Sequence, residues 1–342
     1  MKQWQNVALT ALLAALGAGL AASGAQAGLP EAVRSYNNGQ FKEALAEFSR
    51  LAKQGDGQAQ FRLGIMYAKS QGVARDLKLA RQWMQKAAEQ GDKNAQYQLG
   101  LLLEQADGAT KEDSAQAAIW YAKAAGQGVT NAQYKLAVMY SRGRGVAVDA
   151  ARAVDMLIKA AEAGDAFAQF DLAGMYNRGE GVAQDYAKSV YWYRKAAEQG
   201  DALAQYNLGV IYRTGQGVTQ DFATAIEWYM RAADQGDAGA QYHLGLMNAQ
   251  GQGMPQDFLK AAIWYRKAAA QGNAAAQNGL GVLYAEGQGV TTDMVQAYRW
   301  FATAASSGNS TAIENRDIAA RQLTPAQLER AKRESKPGAD KP

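Results

Sequence analysis

Cysteine and histidine, two of the side chains that most often serve in nucleophilic catalysis and metal binding, are nearly absent from this sequence. Cysteine does not occur, and histidine occurs once, as His243. This composition excludes disulfides, thiol catalysis and cysteine-based zinc sites, and it removes nearly all histidine-based metal sites. The sequence also has no Ser-x-x-Lys motif that could supply a serine nucleophile. We therefore expect no catalytic residue, no cofactor and no metal ion.

The single histidine occupies a position that other copies of a repeated unit fill with unrelated side chains. Those side chains are Arg62, Gln98, Lys135, Asp171 and Asn207. A position that accepts cations, an acid and neutral amides is typical of a solvated helix face. A histidine without a nucleophile or a metal partner performs no reaction. We interpret His243 as a surface residue.

Two recurring motifs resemble ligand sites. Gly-x-Gly begins at Gly143, Gly179, Gly215, Gly251 and Gly287. None of these motifs follows a strand or continues as a phosphate-binding loop, so we interpret them as turns at helix ends. Aspartates recur once per unit at Asp76, Asp113, Asp149, Asp185, Asp221, Asp257 and Asp293. Each stands alone before a helix, which indicates helix capping rather than paired catalytic acids or a calcium site.

The elements that carry these residues come from one repeated unit, seen clearly in residues 201–236. Its first half places Ala204, Leu208 and Ile211 on one stripe of a helix, and its second half does the same with Ala225 and Tyr229. The Gly-x-Gly between the halves can reverse the chain. A hairpin of 36 residues cannot enclose a core alone, so we expect neighbouring hairpins to stack.

The period of the unit is the strongest signal in the sequence. Its last glycine recurs at Gly55, Gly91, Gly128, Gly164, Gly200, Gly236, Gly272 and Gly308. A tryptophan keeps the same period at Trp83, Trp120, Trp192, Trp228, Trp264 and Trp300, and only Met156 interrupts it. Tryptophan can stack on sugars, but these rings lie on the same stripe as small residues. We therefore predict that they form the structural core of the repeats.

The repeated motif resembles the Sel1-like subfamily of tetratricopeptide-type repeats. The pattern A-x-x-x-L-G, then Y, G-x-G-V, D, A-x-x-W and K-A-A-x-x-G stands in nearly every copy across about residues 56–308. The resemblance implies a right-handed α-solenoid that binds other proteins, whereas the residues themselves indicate only stacked helical hairpins. The predicted fold is all-α, a right-handed α-solenoid of about seven 36-residue helical hairpin repeats with N- and C-terminal capping helices, in an exported bacterial member of the subfamily.

The ends of the chain differ from the repeats. Lys2 precedes an apolar run that ends in small residues, which is typical of a signal peptide cut between Ala27 and Gly28; a retained membrane anchor is the alternative. The predicted organisation is a signal peptide at 1–27, a capping hairpin at 28–55, seven repeats at 56–308, capping helices at 309–335 and a disordered tail at 336–342.

Charge and export limit the partner. The formal net charge is +4, and it falls to +3 when Lys2 leaves with the signal peptide. Such a mild excess without runs of Lys or Arg argues against nucleic acid. We expect a periplasmic or secreted protein that has no stable membrane insertion after signal removal, with possible association with the envelope or cell wall. Its partner would be another protein or peptide.

The resemblance implies that the first helix of each hairpin lines the concave side of the array. On these helices an aromatic row comprises Phe61, Tyr97, Tyr134, Phe170, Tyr206 and Tyr242. Basic residues follow about two turns later at Lys69, Arg142, Arg178 and Arg213. Aromatic side chains beside arginine are favoured in protein interfaces, so we predict that these residues bind the partner. The alternative is that the rings only seal one repeat against the next and the basic residues are merely solvated.

These observations favour a non-catalytic scaffold or adaptor in the bacterial cell envelope. The rival class is an enzyme, since cysteine-rich exported Sel1-like proteins are linked to β-lactam hydrolysis or binding. This chain departs from them because it lacks every cysteine. A third possibility is a glycan-binding envelope protein, which would require exposed tyrosine or tryptophan rings.

Overall fold

The computed structural model describes residues 28–105 and 109–335. In this part of the chain there are eighteen helices and no strand, which confirms the all-α prediction. The predicted signal peptide and C-terminal tail lie outside the described residues. The chain divides into two compact units, and the division falls within one helix.

The first unit comprises the described residues up to 132 together with residues 144–146. Its helices are α1 (Leu29–Asn37), α2 (Phe41–Lys53), α3 (Gly57–Lys69), α4 (Leu77–Glu89), α5 (Lys93–Glu104) and α6 (Lys111–Gly126). Each helix packs against the next in this order. The first two form the hairpin at the start, where Tyr36, Phe48 and Leu51 join one buried cluster with Leu63 and Met66 of α3.

The second unit comprises residues 133–143 and the described residues from 147 onward. Most of helix α7 (Thr130–Arg142) belongs to it. It continues through α8 (Ala150–Glu162), α9 (Ala166–Arg178), α10 (Tyr186–Glu198), α11 (Ala202–Thr214), α12 (Phe222–Asp234), α13 (Ala238–Gln250), α14 (Phe258–Ala270), α15 (Ala274–Glu286), α16 (Met294–Ser306), α17 (Ser310–Gln322) and α18 (Pro325–Glu334). From α9 on, consecutive helices pack as hairpins, and both α17 and α18 pack against α16.

The recurring aspartates cap helices, as predicted, with one exception. The side chain of Asp221 accepts a hydrogen bond from the Thr224 backbone N–H at 3.1 Å. The same bond is made by Asp76, Asp149, Asp185, Asp257 and Asp293. The prediction is wrong for Asp113, which is the third residue of α6 and forms a capping box with the true cap Thr110. The extra residue in this repeat moves the helix start upstream of the aspartate.

The Gly-x-Gly motifs are turns at the ends of the first helices. Gly215 ends α11 in the left-handed conformation with φ of 72°, and its N–H donates to the Ile211 carbonyl at 2.8 Å. The second glycine has a separate purpose, since a Cβ on Gly217 would overlap Tyr186 at the start of α10. The first glycine therefore turns the chain, and the second allows close approach to the preceding hairpin.

The deepest large side chain of the second helices is the residue after the tryptophan. Tyr229 is fully buried, and a Cβ on Gly209 in the facing helix would lie 2.5 Å from its ring. Buried residues at the same place are Met84, Tyr121, Leu157, Tyr193, Tyr265 and Phe301. The glycine of the Leu-Gly motif has no side chain, and the ring packs in the room that this leaves.

The tryptophans lie closer to the edge of this core. Trp120 and Trp300 are buried, whereas Trp83, Trp192, Trp228 and Trp264 are half-buried and pack against core clusters. A cation three residues later covers the ring in four repeats: Lys86 over Trp83, Lys123 over Trp120, Arg231 over Trp228 and Lys267 over Trp264, at 4.1 to 4.6 Å. Each of these rings has one face on apolar side chains and the other under a charged group.

Buried glutamines join consecutive hairpins. The Gln205 side chain on α11 donates to the Ala197 carbonyl on α10 at 3.1 Å, and its oxygen accepts from Gln235 at 2.8 Å. The pattern recurs with Gln60 and Gln90, Gln96 and Gln127, Gln169 and Gln199, and Gln241 and Gln271. Each of these carbonyl groups also accepts the backbone N–H of the glycine that ends the repeat, so the glutamine supplies a second donor from the following hairpin.

The last helix begins with a capping box. Thr324 and Gln327 form a capping box, Pro325 occupies the first turn, and Leu323 and Leu328 pack against one buried cluster. Arg299 of α16 forms an ion pair with Glu334 of α18 at 3.2 Å. On α17, Arg316 and Asp317 pair with each other on the surface. The surface of α17 is mixed, because Ile313 and Ile318 are exposed on the same helix as this pair.

Candidate binding surface

The residues of the aromatic row all lie on first helices. In the first unit Phe61 on α3 and Tyr97 on α5 are buried, whereas in the second unit Tyr134, Phe170, Tyr206 and Tyr242 are half-buried. The rings contact a tyrosine on the second helix of their own hairpin, with centroid separations of 5.5 to 6.0 Å for Tyr97–Tyr121, Phe170–Tyr193, Tyr206–Tyr229 and Tyr242–Tyr265. The row is thus partly interior and partly surface.

The residue after each position of the aromatic row was predicted to lie on a solvated helix face, and the structure differs from this prediction. We call this position the variable slot; it holds Arg62, Gln98, Lys135, Asp171, Asn207, His243 and Gly279. The prediction of a solvated helix face is wrong at three of these residues, because Arg62, Asp171 and His243 are partly buried against tyrosines. The tyrosine belongs to the preceding hairpin, and this neighbour is not visible in the slot residues alone.

In the first unit the slot residue Arg62 lies over Tyr36, with its guanidinium carbon 5.7 Å from the ring centroid. Burial lowers the pKa of Arg62, against the opposing influence of Tyr36 and Asp92. Lys69, on the last turn of the same helix, is half-buried, and burial lowers its pKa as well. The predicted basic residue of this unit is therefore a partly desolvated cation.

In the second unit Asp171 lies among two arginines and a tyrosine. It is hydrogen-bonded to Tyr134, while Arg142 and Arg178 both lower its pKa by their charge. Burial is the larger influence, so the pKa of Asp171 is raised above its ordinary value. Asp171 lines a cavity of about 190 Å³ together with Arg142, Arg178, Met175 and Glu180. The structure thus brings together two of the four predicted basic residues.

The surroundings of these two arginines are unequal. Arg178 pairs with Glu180 at 2.9 Å, and both side chains are largely exposed. Arg142 is exposed on the last turn of α7. An exposed ion pair in water contributes about 0 to 1 kcal/mol, so a partner carboxylate could replace Glu180 at little cost. This arrangement can bind an acidic or hydrogen-bond-accepting group.

The third arginine of the second unit, Arg213, is directed toward a ring cluster. Its Nε donates to the Tyr229 hydroxyl at 3.4 Å. His243 stacks on Tyr229 at 5.1 Å between centroids, and its Nε2 lies 3.5 Å from the Tyr206 hydroxyl. Burial, followed by the charge of Arg213, lowers the pKa of His243 to about 4. His243 is therefore neutral at pH 7, and Arg213 is a half-buried cation rather than a solvated one.

Exposed apolar side chains also lie on the first helices of the second unit. Phe167 on α9 is 57% exposed, and its ring centroid is 6.1 Å from that of Tyr134. Leu203, at the same place one repeat later, is 53% exposed. Second helices of both units also have exposed apolar side chains, and three of these, Ile119, Tyr191 and Ile263, share the position directly before the tryptophan. We define the first-helix surface as Phe167, Leu203, Tyr134, Phe170, Tyr206, Tyr242, Arg142, Arg178 and Arg213.

Two kinds of feature were searched for in the described residues: clusters of metal ligands and membrane-spanning helices. Among residues 28–105 and 109–335, no three acidic or histidine side chains converge as metal ligands would. Within the same residues, every helix is too short or too polar to cross a lipid bilayer.

The spacing of the repeats could have revealed the contacts of the variable slot. Tyr134 and Asp171 are separated by the same interval as Tyr206 and His243, namely one repeat plus one residue.

Comparison with known proteins identifies the repeats. The Sel1 repeat model matches residues 57–92, 93–129, 130–165, 166–201, 202–237, 238–273 and 274–309. These matches begin one residue after the repeat starts that we derived from the glycine period. Among curated proteins, none is similar enough to this sequence to count as a match.

Two crystal structures are similar over most of the chain. A Sel1 repeat protein from Oxalobacter formigenes is 37% identical with a TM-score of 0.65, over 84% of this chain and 87% of that one. The second, c5321, is a protective antigen present in uropathogenic Escherichia coli strains with an SLR fold; it is 31% identical with a TM-score of 0.57, over 91% of this chain and 83% of that one. The chain therefore belongs to the Sel1 repeat family, with an all-α solenoid fold of helical hairpins that generally mediates protein–protein interaction.

Proposed function

We propose that this protein is a non-catalytic scaffold of the bacterial cell envelope that binds a flexible segment of another protein along the first-helix surface. The observation that carries the proposal is the exposure of Phe167 and Leu203 beside the aromatic row. Apolar residues at the same place in consecutive repeats offer a partner two anchors that hairpin folding leaves in water.

The charges beside these anchors indicate what kind of segment would bind. Arg142 and Arg178 both line the cavity that contains Asp171, and the Arg178–Glu180 pair is exposed enough to exchange partners. A segment with an apolar side chain for Phe167 or Leu203 and a carboxylate for the arginines would satisfy both features. Extended peptides suit a row of parallel helices, because successive hairpins present equivalent positions at regular intervals.

The envelope location rests on residues 1–27, whose single cation, apolar run and final small residues are typical of an export signal. If it is cleaved as proposed, protein isolated from the native host begins at Gly28. N-terminal sequencing of that protein tests the proposal, and a chain that still begins at Met1 in the membrane fraction would contradict it.

Site-specific photo-crosslinking in intact cells tests the binding surface. A photoreactive phenylalanine analogue replaces Phe167 or Leu203 on first helices and, as matched controls, Tyr191 or Ile263 on second helices. All four positions are exposed apolar side chains of the second unit. We expect a discrete crosslinked protein from positions 167 and 203. Crosslinks from positions 191 and 263 alone, or from none of the four, would overturn the proposed surface.

Charge reversal in the same assay tests the role of the arginines. Arg142→Glu with Arg178→Glu should lower the crosslink from position 167 at least about tenfold, because two favourable charge contacts become repulsive. Lys159→Glu with Lys195→Glu makes the same charge change at exposed positions on the second helices of these two hairpins. That control should leave the crosslink unchanged; equal loss in both variants would indicate a general effect of net charge. Arg213 stays unaltered because it contacts Tyr229.

A further inference from the structure

Two repeats lack a tyrosine that the other five have near the end of the first helix. The tyrosine is present as Tyr67, Tyr140, Tyr176, Tyr212 and Tyr284. Repeat two has Leu103 there, and repeat six has Asn248. Asn248 is 3% exposed, so the change from an aromatic ring to a short amide occurs in the interior.

Repeat four shows what normally fills this place. Tyr176 is buried in a cluster with Val154 and Leu172, against which Ile158, Val182 and Trp192 also pack. The Lys188 ammonium lies 5.2 Å from the centroid of the Tyr176 ring. The ring is therefore enclosed by apolar side chains and covered on one face by a cation. Arg152 covers Tyr140 in the same way in repeat three, at 5.6 Å.

Repeat six keeps the walls of this place but not the ring. The residues two repeats after those around Tyr176 are Ile226, Met230, Leu244, Met254, Lys260 and Trp264. All six line one cavity of about 420 Å³, together with Asn248 and the loop residues Pro255, Gln256 and Asp257. Small-molecule sites in proteins are typically about 300 to 1,000 Å³ and mostly apolar. The cavity is thus a tyrosine site without its tyrosine, large enough for a ring to enter.

The polar groups of the cavity also match an external ring. Asn248 donates to the Leu244 carbonyl at 2.8 Å, and its own side-chain oxygen has no hydrogen-bond donor among the described residues. Lys260 holds the position from which Lys188 covers Tyr176, and its largely exposed ammonium pairs with Asp257 at 3.2 Å. Lys188 makes the equivalent pair with Asp185 at 3.6 Å while it covers the Tyr176 ring, so the ion pair and a covered ring are compatible. That pair is weak in water, so Lys260 can turn onto a ring face.

We propose that this cavity binds the aromatic side chain of a partner protein, a tyrosine in the first instance. The ring contacts Ile226, Met230, Met254 and Trp264, and Lys260 covers its face as Lys188 covers Tyr176. An aliphatic side chain could fill the volume but would gain nothing from the cation. That the ring belongs to a partner protein rests on the proposed function. The affinity of the cavity for an aromatic ring does not depend on that function.

Methyl NMR with p-cresol, the side chain of tyrosine, tests the cavity. Met230 and Met254 line it, so their labelled methyl groups report a bound ring directly through its magnetic field. We expect saturable shifts of both signals with p-cresol and at least about tenfold weaker binding of 4-methylcyclohexanol, which has similar size but no aromatic face. Absence of a saturable shift with p-cresol, or equal binding of the two compounds, would overturn the proposal.

Three variants separate ring binding from general effects. Asn248→Tyr restores the tyrosine of the other repeats and should abolish the p-cresol shifts while raising the melting temperature. Asn248→Leu, which installs the residue of repeat two, should weaken binding even if the tyrosine variant folds poorly. Lys260→Met should weaken p-cresol about 3- to 30-fold and leave 4-methylcyclohexanol unchanged. Undiminished p-cresol binding in all three variants would place the ligand elsewhere.

The source of the ring has its own test. With the partner captured by crosslinking from position 167, Asn248→Tyr should lower the yield of the complex at least about tenfold. If p-cresol binds the cavity but capture is unchanged, the ring does not come from that partner, and this part of the proposal is overturned. If p-cresol fails while crosslinks at positions 167 and 203 persist, the cavity is excluded and the proposed function stands.

Discussion

The interior of the hairpins and the variable slot differ in how uniform their side chains are from one repeat to the next. The interior repeats the same side chains: a ring at Tyr121, Tyr193, Tyr229 and Tyr265 opposite a small residue, and paired glutamines between hairpins. The slot keeps the same backbone position but holds a guanidinium, a carboxyl or an imidazole. In such an array stacking requires the interior to be uniform, whereas the slot is free to differ from one hairpin to the next.

Asp171 and His243 show how the environment of the slot shifts the pKa of an acid and of a base. Both contact a tyrosine of the preceding hairpin and both are partly buried. Burial raises the pKa of Asp171 and lowers the pKa of His243, so each is shifted toward its neutral form. Arginines lie beside both residues, Arg142 and Arg178 near Asp171 and Arg213 near His243. The slot therefore changes the polar character of the first-helix surface from one hairpin to the next.

The largest expected effect comes from truncating the repeated interior. Tyr229→Ala removes a fully buried ring that faces Gly209, and it should lower the free energy of unfolding by roughly 3 to 5 kcal/mol. Trp228→Ala removes a half-buried ring covered by Arg231 and should cost roughly 1 to 3 kcal/mol. Urea denaturation of both variants measures the difference. A larger loss at Trp228 would show that the tryptophan, not the tyrosine, dominates the core.

The sequence predicted the repeated interior better than the slot. Helical spacing and capping aspartates locate the hairpins because these signals act within a few residues. The order of burial between Trp228 and Tyr229 was not predictable, since adjacent residues share one stripe and the missing Cβ of Gly209 on another helix selects between them. The environment of Asp171 depends on Tyr134 in the preceding hairpin. Asp113 failed as a cap because one added residue offers Thr110 as a competing start.

A smaller effect is expected from the glutamines that join hairpins, and the chain contains its own control. Gln205→Leu breaks the bonds to Ala197 and Gln235. Gln277→Leu breaks only the bond to Ala269, because α16 is followed by Ser307 where most other hairpins have glutamine. Gln205→Leu should therefore destabilise the protein by about 0.5 to 1.5 kcal/mol more than Gln277→Leu.

Urea denaturation of the two glutamine variants under the same conditions gives this difference directly. Both substitutions place the same leucine at the same position of a first helix, so changes in helix propensity and side-chain volume cancel. Equal losses would mean that the Gln205–Gln235 bond contributes nothing beyond the bond to the preceding hairpin. The repeated interior would then depend on its rings and small residues alone.

The last prediction concerns the variable slot, and its effect appears only when the pH is lowered. The pKa of His243 is about 4 in the folded protein, against 6.5 ordinarily. The unfolded chain therefore binds more protons between these values, and stability is complete above about pH 6.5 and falls as pH decreases toward 4. Between pH 7 and pH 5 the wild type should lose on the order of 1 to 2 kcal/mol more than His243→Gln, which carries the neutral amide found at Gln98. Urea denaturation at the two pH values measures this difference. Parallel losses would mean that His243 is protonated as readily in the folded state as in water, and the slot would then be the solvated face that its sequence variety indicates.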